Sequence, residues 1–263
     1  MIDLLIVGPA GGTHIAGSFA RAAGELGLRF HMQDTSPAYD GPGMVRSLVW
    51  RWGGRKPFRL KQFSDRIGRV AAEESARRIV SIGQSPLTAA TLAAARARGT
   101  ACLLYSTDDP WNPAHRAGWY MRSLVHYDHV FTPRRSNIGD FRALGCQAVS
   151  YLPFGYDPSL FPPVTAPDGE ADDAPEILFV GGADADRLEF VARLMEAGAR
   201  PVLAGGYWDR HPKTRPLALG LKSPAELCRL TARAAVNLCL VRKANRDGHV
   251  MRSFEIPAVG GFL

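Results

Sequence analysis

The sequence predicts an α/β protein built from two successive Rossmann-like domains, each with a parallel sheet, facing one another across a cleft. Three observations carry this expectation. Short apolar runs of strand length alternate with stretches of helical periodicity from the first residues onward, which is the rhythm of parallel strands joined by helices. Glycine-rich turns follow the strand-like runs LLIVG (4–8) and EILFVGG (176–182). Between these two units, PFGYDPSLFPPVTAPDGEADDAP (153–175) is rich in Pro, Asp and Gly and breaks the rhythm, which then restarts. The expected boundaries are 1–155 for the first domain, 156–175 for a linker and 176–263 for the second domain.

In the first domain, LLIVG is a buried strand. HIAGSFARAAGELG (14–27) carries Ala, Phe and Leu at helical spacing and stops at Gly27, and RFHMQD (29–34) is the second strand. A helix is expected from Phe63 to Arg77, then the strand IVSIG (79–83), the Ala-rich helix TAATLAAARARG (88–99) and the strand ACLLYS (101–106). HVFTP (129–133), the helix SNIGDFRALG (136–145) and VSYLP (149–153) complete the set. In the second domain the helix ADRLEFVARLMEAG (185–198) follows the glycine turn, and PVLAGG (201–206) is the next strand. SPAELCRLTARA (223–234) is a helix with Ser223 as N-cap and Glu226 three residues later, a capping box. VNLCLV (236–241) is a further strand, and a short helix opens near Ser253. The final GGFL begins another apolar run that would need neighbours to cover it, so the second domain is expected to be truncated in this chain.

The composition excludes several classes. With 46% hydrophobic and 22% charged residues over 263 positions, the chain has enough apolar surface for a real core and is neither disordered nor collagen-like. No apolar run approaches the roughly 18 residues of a membrane helix. The N-terminus lacks a basic region and is interrupted by Asp3, so it reads as a strand and not a signal peptide. Cys102, Cys146, Cys228 and Cys239 form no C-x-x-C pair and have no histidine at zinc spacing, which is the pattern of free thiols in a reducing compartment. The expected location is cytoplasmic, with peripheral contact to a membrane left open.

The net charge of +7 is local. Residues 41–70 contain Arg46, Arg51, Arg55, Lys56, Arg59, Lys61, Arg66 and Arg69 against Asp65 alone. Taking these from the totals of 32 cations and 25 anions leaves 24 of each sign elsewhere. Trp50, Trp52, Phe58 and Phe63 are interleaved with the charges. Such a segment suits anionic lipid headgroups, a phosphorylated or polyanionic acceptor, or nucleic acid without sequence specificity. It equally suits a solvated connector whose aromatics tuck onto the core.

Three motifs carry polar chemistry. Gly8-Pro-Ala-Gly11-Gly12-Thr13-His14 joins a strand to a helix, where glycines admit a ligand to free backbone N–H groups; a tight turn alone would use the same residues. The dinucleotide spacing G-x-G-x-x-G is absent, although Asp34 ends the second strand where a ribose-binding acid would sit. Thr107-Asp108-Asp109-Pro110-Trp111 follows a strand, so Asp108 and Asp109 either accept sugar hydroxyls, hold a cation, or cap a turn before Pro110. In Arg246-Asp247-Gly248-His249-Val250-Met251-Arg252-Ser253-Phe254-Glu255, the loop N–H groups near Gly248 together with Arg252 could hold a pyrophosphate, Glu255 a ribose and Asp247 a sugar. The plainer alternative pairs Arg252 with Glu255 as a first-turn acid.

RSFEIPAVGGFL (252–263) resembles a hallmark of the CgeB-like, spore-maturation-protein-like glycosyltransferases, relatives of the group 1 glycosyltransferases with the two-Rossmann GT-B fold. YSTDDPWNP, YDHVFTPRRSNIGDFRALGC, VSYLPFGYDPSLF and ILFVGG support the resemblance in collinear order from Ile79 to Leu263, while the first 78 residues match only in architecture. The resemblance implies a nucleotide-sugar donor as substrate in the second domain, an acceptor of unknown identity in the first, and no cofactor or bound metal. The two glutamates of the wider clan correspond here to Asp247 and Glu255, so Asp247 carries a shortened reach. On this reading Asp247 and His14 are the catalytic candidates, and Gly11, Gly12, Asp108, Asp109, Gly248, Arg252 and Glu255 bind substrate. The resemblance also implies a C-terminal domain that continues past GGFL.

Two other functions fit parts of the chain. An NAD(P)-dependent oxidoreductase is supported by the strand–glycine–helix–strand–Asp34 unit and opposed by the missing fingerprint and the lack of a Tyr-x-x-x-Lys pair. A non-catalytic nucleotide-sugar-binding protein is compatible with aspartate at position 247.

Overall fold

The computed structural model describes residues 1–113, 116–165, 174–243 and 245–263. Among these, 1–153 and 245–247 form one compact unit, and 154–243 with 248–263 form the other. The acidic part of the expected linker, 166–173, lies outside the described residues.

The first unit is a six-stranded parallel sheet of β1 (Leu4–Gly8), β2 (Phe30–Asp34), β3 (Arg78–Ile82), β4 (Ala101–Tyr105), β5 (His129–Thr132) and β6 (Val149–Tyr151), in the order β2-β1-β3-β4-β5-β6. Its helices are α1 (Ile15–Glu25), α2 (Gly43–Trp52), α3 (Leu60–Glu73), α4 (Ala89–Ala97), α5 (Gly118–Leu124) and α6 (Arg135–Leu144). The central strands read as continuous apolar runs because helices cover both faces, so Leu5, Ile6, Val7, Ile79 and Leu104 are all buried. Helix α3 shows how periodicity is spent. Leu60, Phe63, Ile67 and Ala71 recur at three- and four-residue spacing and are buried, while Lys61, Asp65 and Arg69 face water. Each large apolar residue so buried is worth about 1.5–3 kcal/mol.

The second unit contains β7 (Ile177–Val180), α7 (Ala185–Glu196), β8 (Val202–Ala204), β9 (Ala218–Gly220), α8 (Pro224–Arg233), β10 (Val236–Leu238) and α9 (Arg252–Ala258). Its four strands are parallel in the order β10-β7-β8-β9. Asp184 caps α7 by accepting from Arg187 N–H, and Ser223 with Glu226 forms the complete capping box at α8. The chain therefore has two Rossmann-like α/β units with parallel sheets.

Several expectations change in detail. The helix expected over 63–77 starts at Leu60 and ends at Glu73, because Ser75 adopts φ +48° and turns the chain into β3. Residues 41–70 are not a connector: they hold α2 and the first part of α3. Trp50 and Trp52 are 45% and 81% exposed, so these aromatics are not tucked onto the core, whereas Phe63 is buried. Residues 154–165 pack within the second unit, where Phe161 meets Cys228 and Val259, and Val164 N–H donates to the Val259 carbonyl. The Phe262 carbonyl accepts from Asn237 N–H beside β10, and the Phe262 and Leu263 side chains are exposed. All four cysteines are free and three are buried; burial pushes the Cys102 thiol up to about 12. Among the described residues, no helix is long and apolar enough to cross a membrane.

Candidate functional site

In an open parallel sheet, ligands bind outside the carboxyl ends of the strands where the strand order reverses. The second sheet reverses between β7 and β10. Three arginines gather at this place. Arg187, in the first turn of α7, donates from Nη1 to the Gly182 carbonyl at 2.8 Å and lies over the Phe179 ring at 5.2 Å. Its Nε is buried with no hydrogen-bond partner. Arg242, just past β10, donates from Nε to Asp184 Oδ2 at 3.0 Å. Arg252 opens α9 and pairs with Glu255. Burial, then the nearby Arg242 cation, lower the Arg187 pKa, and Arg252 adds to the repulsion. Asp184 opposes it, yet three guanidinium groups share Asp184 and Glu255, so positive charge is in excess.

A groove of about 210 Å³ runs beside this cluster between α7 and the segment after β10, lined by Arg187, Arg193, Arg242 and Lys243 together with Asp186 and Glu189, which pair with Arg193 and Lys243. Close backbone approach joins the turns that follow β7 and β8. Gly205 has φ +143°, and a Cβ there would stand 2.2 Å from the Gly181 carbonyl oxygen, so only glycine lets the turn after β8 rest on the turn after β7. Glu255 is 3% exposed; burial raises its carboxyl above the usual glutamate value, against the pull of Arg252. Gly248 takes φ +87° in the loop before α9 and is exposed.

The first sheet reverses between β1 and β3. Gly11 and Gly12, at φ +81° and +53°, carry the chain from β1 to α1, and space is open where a side chain would be. His14 is the exposed N-cap residue of α1 and makes no side-chain cap. Asp34 serves this loop: Oδ1 accepts from Ala10 N–H at 3.0 Å and from Ser36 N–H at 3.2 Å, which, with its other backbone donors, holds its carboxyl below the usual range despite burial. Ser85 donates to the carbonyls of Val7 and Ile82 and ties the ends of β1 and β3 together.

At the ends of β4 and β5 the carboxylates are already engaged by the protein. Asp109, 1% exposed, accepts from Trp111 N–H at 3.0 Å, Asn137 Nδ2 at 2.9 Å and Arg246 Nε at 2.5 Å. Arg246 also pairs with Asp140. Asp108 Oδ1 accepts from Asn245 Nδ2 at 3.1 Å. Asp247 accepts from Ser136 N–H and Ser136 Oγ, both at 2.8 Å, at the start of α6. Arg134, also fully buried, donates to the Asp247 carbonyl. Asp247 therefore belongs to the first unit with Asp108 and Asp109, while Arg252 and Glu255 belong to the second. Among the described residues, no group of three His, Cys, Asp or Glu stands close enough to hold a metal ion.

Arg187 and Arg242 are absent from the set chosen on sequence. The signal available was position: each follows within a few residues of the carboxyl end of a strand flanking the reversal in the second sheet. That reversal is known only once β10 is seen to pair with β7.

No protein-family model matches this sequence, and a search of curated proteins finds no relative. Solved structures do resemble it. The Anabaena Alr3699/HepE structure in complex with UDP-glucose has a TM-score of 0.56 at 13% identity, covering 90% of this chain and 73% of that one. The S. aureus MnaA–UDP co-structure gives 0.55 at 12% identity, with the same coverages. The Neisseria meningitidis UDP-GlcNAc 2-epimerase bound to UDP-GlcNAc gives 0.51 at 10% identity, covering 90% and 77%. At such identities the likeness concerns the fold, a GT-B-like pair of Rossmann units, and does not extend to the CgeB-like family.

Proposed function

We propose that this protein is an enzyme acting on a nucleotide sugar, with the donor's diphosphate held in the second unit by Arg187, Arg242 and Arg252. The carrying observation is the convergence of these three cations where the second sheet's strand order reverses, with a buried Arg187 Nε left unpaired. A dianionic diphosphate supplies the missing acceptors, and guanidinium groups match its oxygens in charge-assisted pairs. Glu255 gives one carboxylate oxygen to Arg252, and in this reading the other accepts a ribose hydroxyl. Gly248 presents loop N–H groups to the same ligand. That proteins of this fold are solved with UDP, UDP-glucose and UDP-GlcNAc supports the reading.

The reaction we assign is transfer of the sugar to an acceptor, following the resemblance carried by RSFEIPAVGGFL. The arginines then stabilise the charge that grows on the departing diphosphate. The acceptor is assigned to the first unit, where the Gly11–Gly12 turn and His14 are open to solvent. Asp109 and Asp247 act as anchors in this scheme, because their oxygens already hold protein donors, and Asp108 retains capacity for a sugar hydroxyl. A second reading, epimerisation of the sugar, is favoured by the 2-epimerases among the solved structures of like fold.

Calorimetric titration with UDP, GDP and their sugars tests the site. Arg187→Ala and Arg242→Ala should each weaken nucleoside-diphosphate binding about tenfold or more, the worth of one hydrogen bond to a charged group. Product analysis by NMR separates the reactions: free nucleoside diphosphate with a glycosylated acceptor means transfer, and an altered sugar still on its nucleotide means epimerisation. Unchanged binding in both arginine variants, or a preference for NAD(P), would overturn the assignment.

A further inference from the structure

Helix α2 buries none of its residues fully, although six of its ten positions are apolar aliphatic or tryptophan. Met44, Leu48 and Trp52 follow one another at four-residue spacing and are 85%, 57% and 81% exposed, with Val45 beside them at 45%. On a helix these four side chains make one stripe. Val49 turns toward the unit, and Trp50, 45% exposed, meets Tyr39 at a ring-centroid distance of 6.2 Å. By the same periodicity Arg51 borders the stripe, while Arg46 lies on the side of Val49 and Trp50.

The base of this projection is firmly held. A Cβ on Gly41 would lie 2.5 Å from the Phe58 ring, so strand exit and α3 entry are pressed together below α2. Trp119 Nε1 donates to the Arg55 carbonyl at 3.1 Å, fixing the turn that ends the helix. Arg46, Arg51, Lys56, Arg59 and Arg69 form no ion pair among the described residues; in this stretch only Lys61 pairs, with Asp65. The chain's +7 falls in residues 41–70, the segment that carries this exposed apolar stripe.

We propose that α2 lies in the headgroup layer of an anionic bilayer, with Met44, Val45, Leu48 and Trp52 among the acyl chains and the surrounding arginines and lysines on the lipid phosphates. A folded acidic protein would match the charge. It would not by itself call for four large apolar side chains held out on a helix whose polar edge is arginine, which is the pattern of an interfacial helix. Tryptophan at one end suits the boundary between water and hydrocarbon. The segment needs only about 15 Å of membrane surface for its ten residues.

The test is co-sedimentation of the full chain with phosphatidylcholine vesicles and with vesicles containing 30 mol% phosphatidylglycerol, at low and at physiological salt. Binding is expected only to the anionic vesicles, with a blue shift of tryptophan emission. Arg51→Gln should lower the partition coefficient about fivefold, the worth of one basic residue at an anionic surface. Leu48→Ser with Trp52→Ser should abolish the blue shift and most of the binding, while leaving the melting temperature unchanged because these side chains are exposed. Heparin serves as a soluble polyanion control. Binding to heparin but not to anionic vesicles would overturn the proposal in favour of a polyanionic partner. Vesicle binding that survives the Leu48 and Trp52 changes would overturn insertion of the stripe.

Discussion

Asp109→Ala should destabilise the first unit by about 3 kcal/mol. The carboxylate is 1% exposed and serves three donors: Trp111 N–H at 3.0 Å, Asn137 Nδ2 at 2.9 Å and Arg246 Nε at 2.5 Å. Asn137 is fully buried and its Oδ1 already lacks a partner, so the substitution leaves the whole amide unpaired. A buried donor stranded in this way costs about 1–3 kcal/mol. The loss of the part-buried Trp111 bond adds about 1 kcal/mol. Arg246 adds at most about 1 kcal/mol, because its side chain is 45% exposed and keeps Asp140. Asp109→Asn retains one acceptor and should cost about half as much. Urea unfolding followed by tryptophan emission reads the first unit, since Trp111 packs edge-on against Phe141 at 4.8 Å. A loss below 1 kcal/mol for Asp109→Ala would refute the anchoring role and return this carboxylate to the candidates for ligand binding.

Two further outcomes follow from single residues. Burial holds Glu255 protonated to a higher pH than the ordinary 4.5; the folded chain then binds that proton more tightly than the unfolded chain, so stability falls as pH rises from 4.5 through the raised value and is level above it. Glu255→Gln should lack this slope, and parallel stability–pH curves for the two proteins by chemical denaturation would refute it. Gly205→Ala should cost about 3 kcal/mol or more, since a Cβ 2.2 Å from the Gly181 oxygen joins overpacking to a backbone angle that L-residues avoid; a melting temperature equal to wild type would show that the two turns separate freely.

Local signals were legible where short-range chemistry dominates. The capping box at Ser223 and Glu226, the run LLIVG and the stop at Gly145, whose φ is +104°, all express preferences set within a few residues. Helix α2 was not read from the sequence: its apolar residues recur at helical spacing but face water, and the cations among them suited a solvated connector equally well. Strand β10 was legible within VNLCLV, whereas β9 was not: its three residues, ALG, meet β8 through a register shift. The short helix α5 was likewise missed.

The sequence by itself determined that strands and helices alternate, where the glycine turns fall, and that the net charge lies within 41–70, because composition and local conformation suffice for these. Only the tertiary structure decided which side chains converge. Arg246 and Asp109 meet across 137 residues, Arg242 and Asp184 across 58, and the three-arginine cluster exists because β10 returns to the far side of β7. Strand order is a long-range choice. It is set by which apolar faces cover one another, and no window of adjacent residues records it.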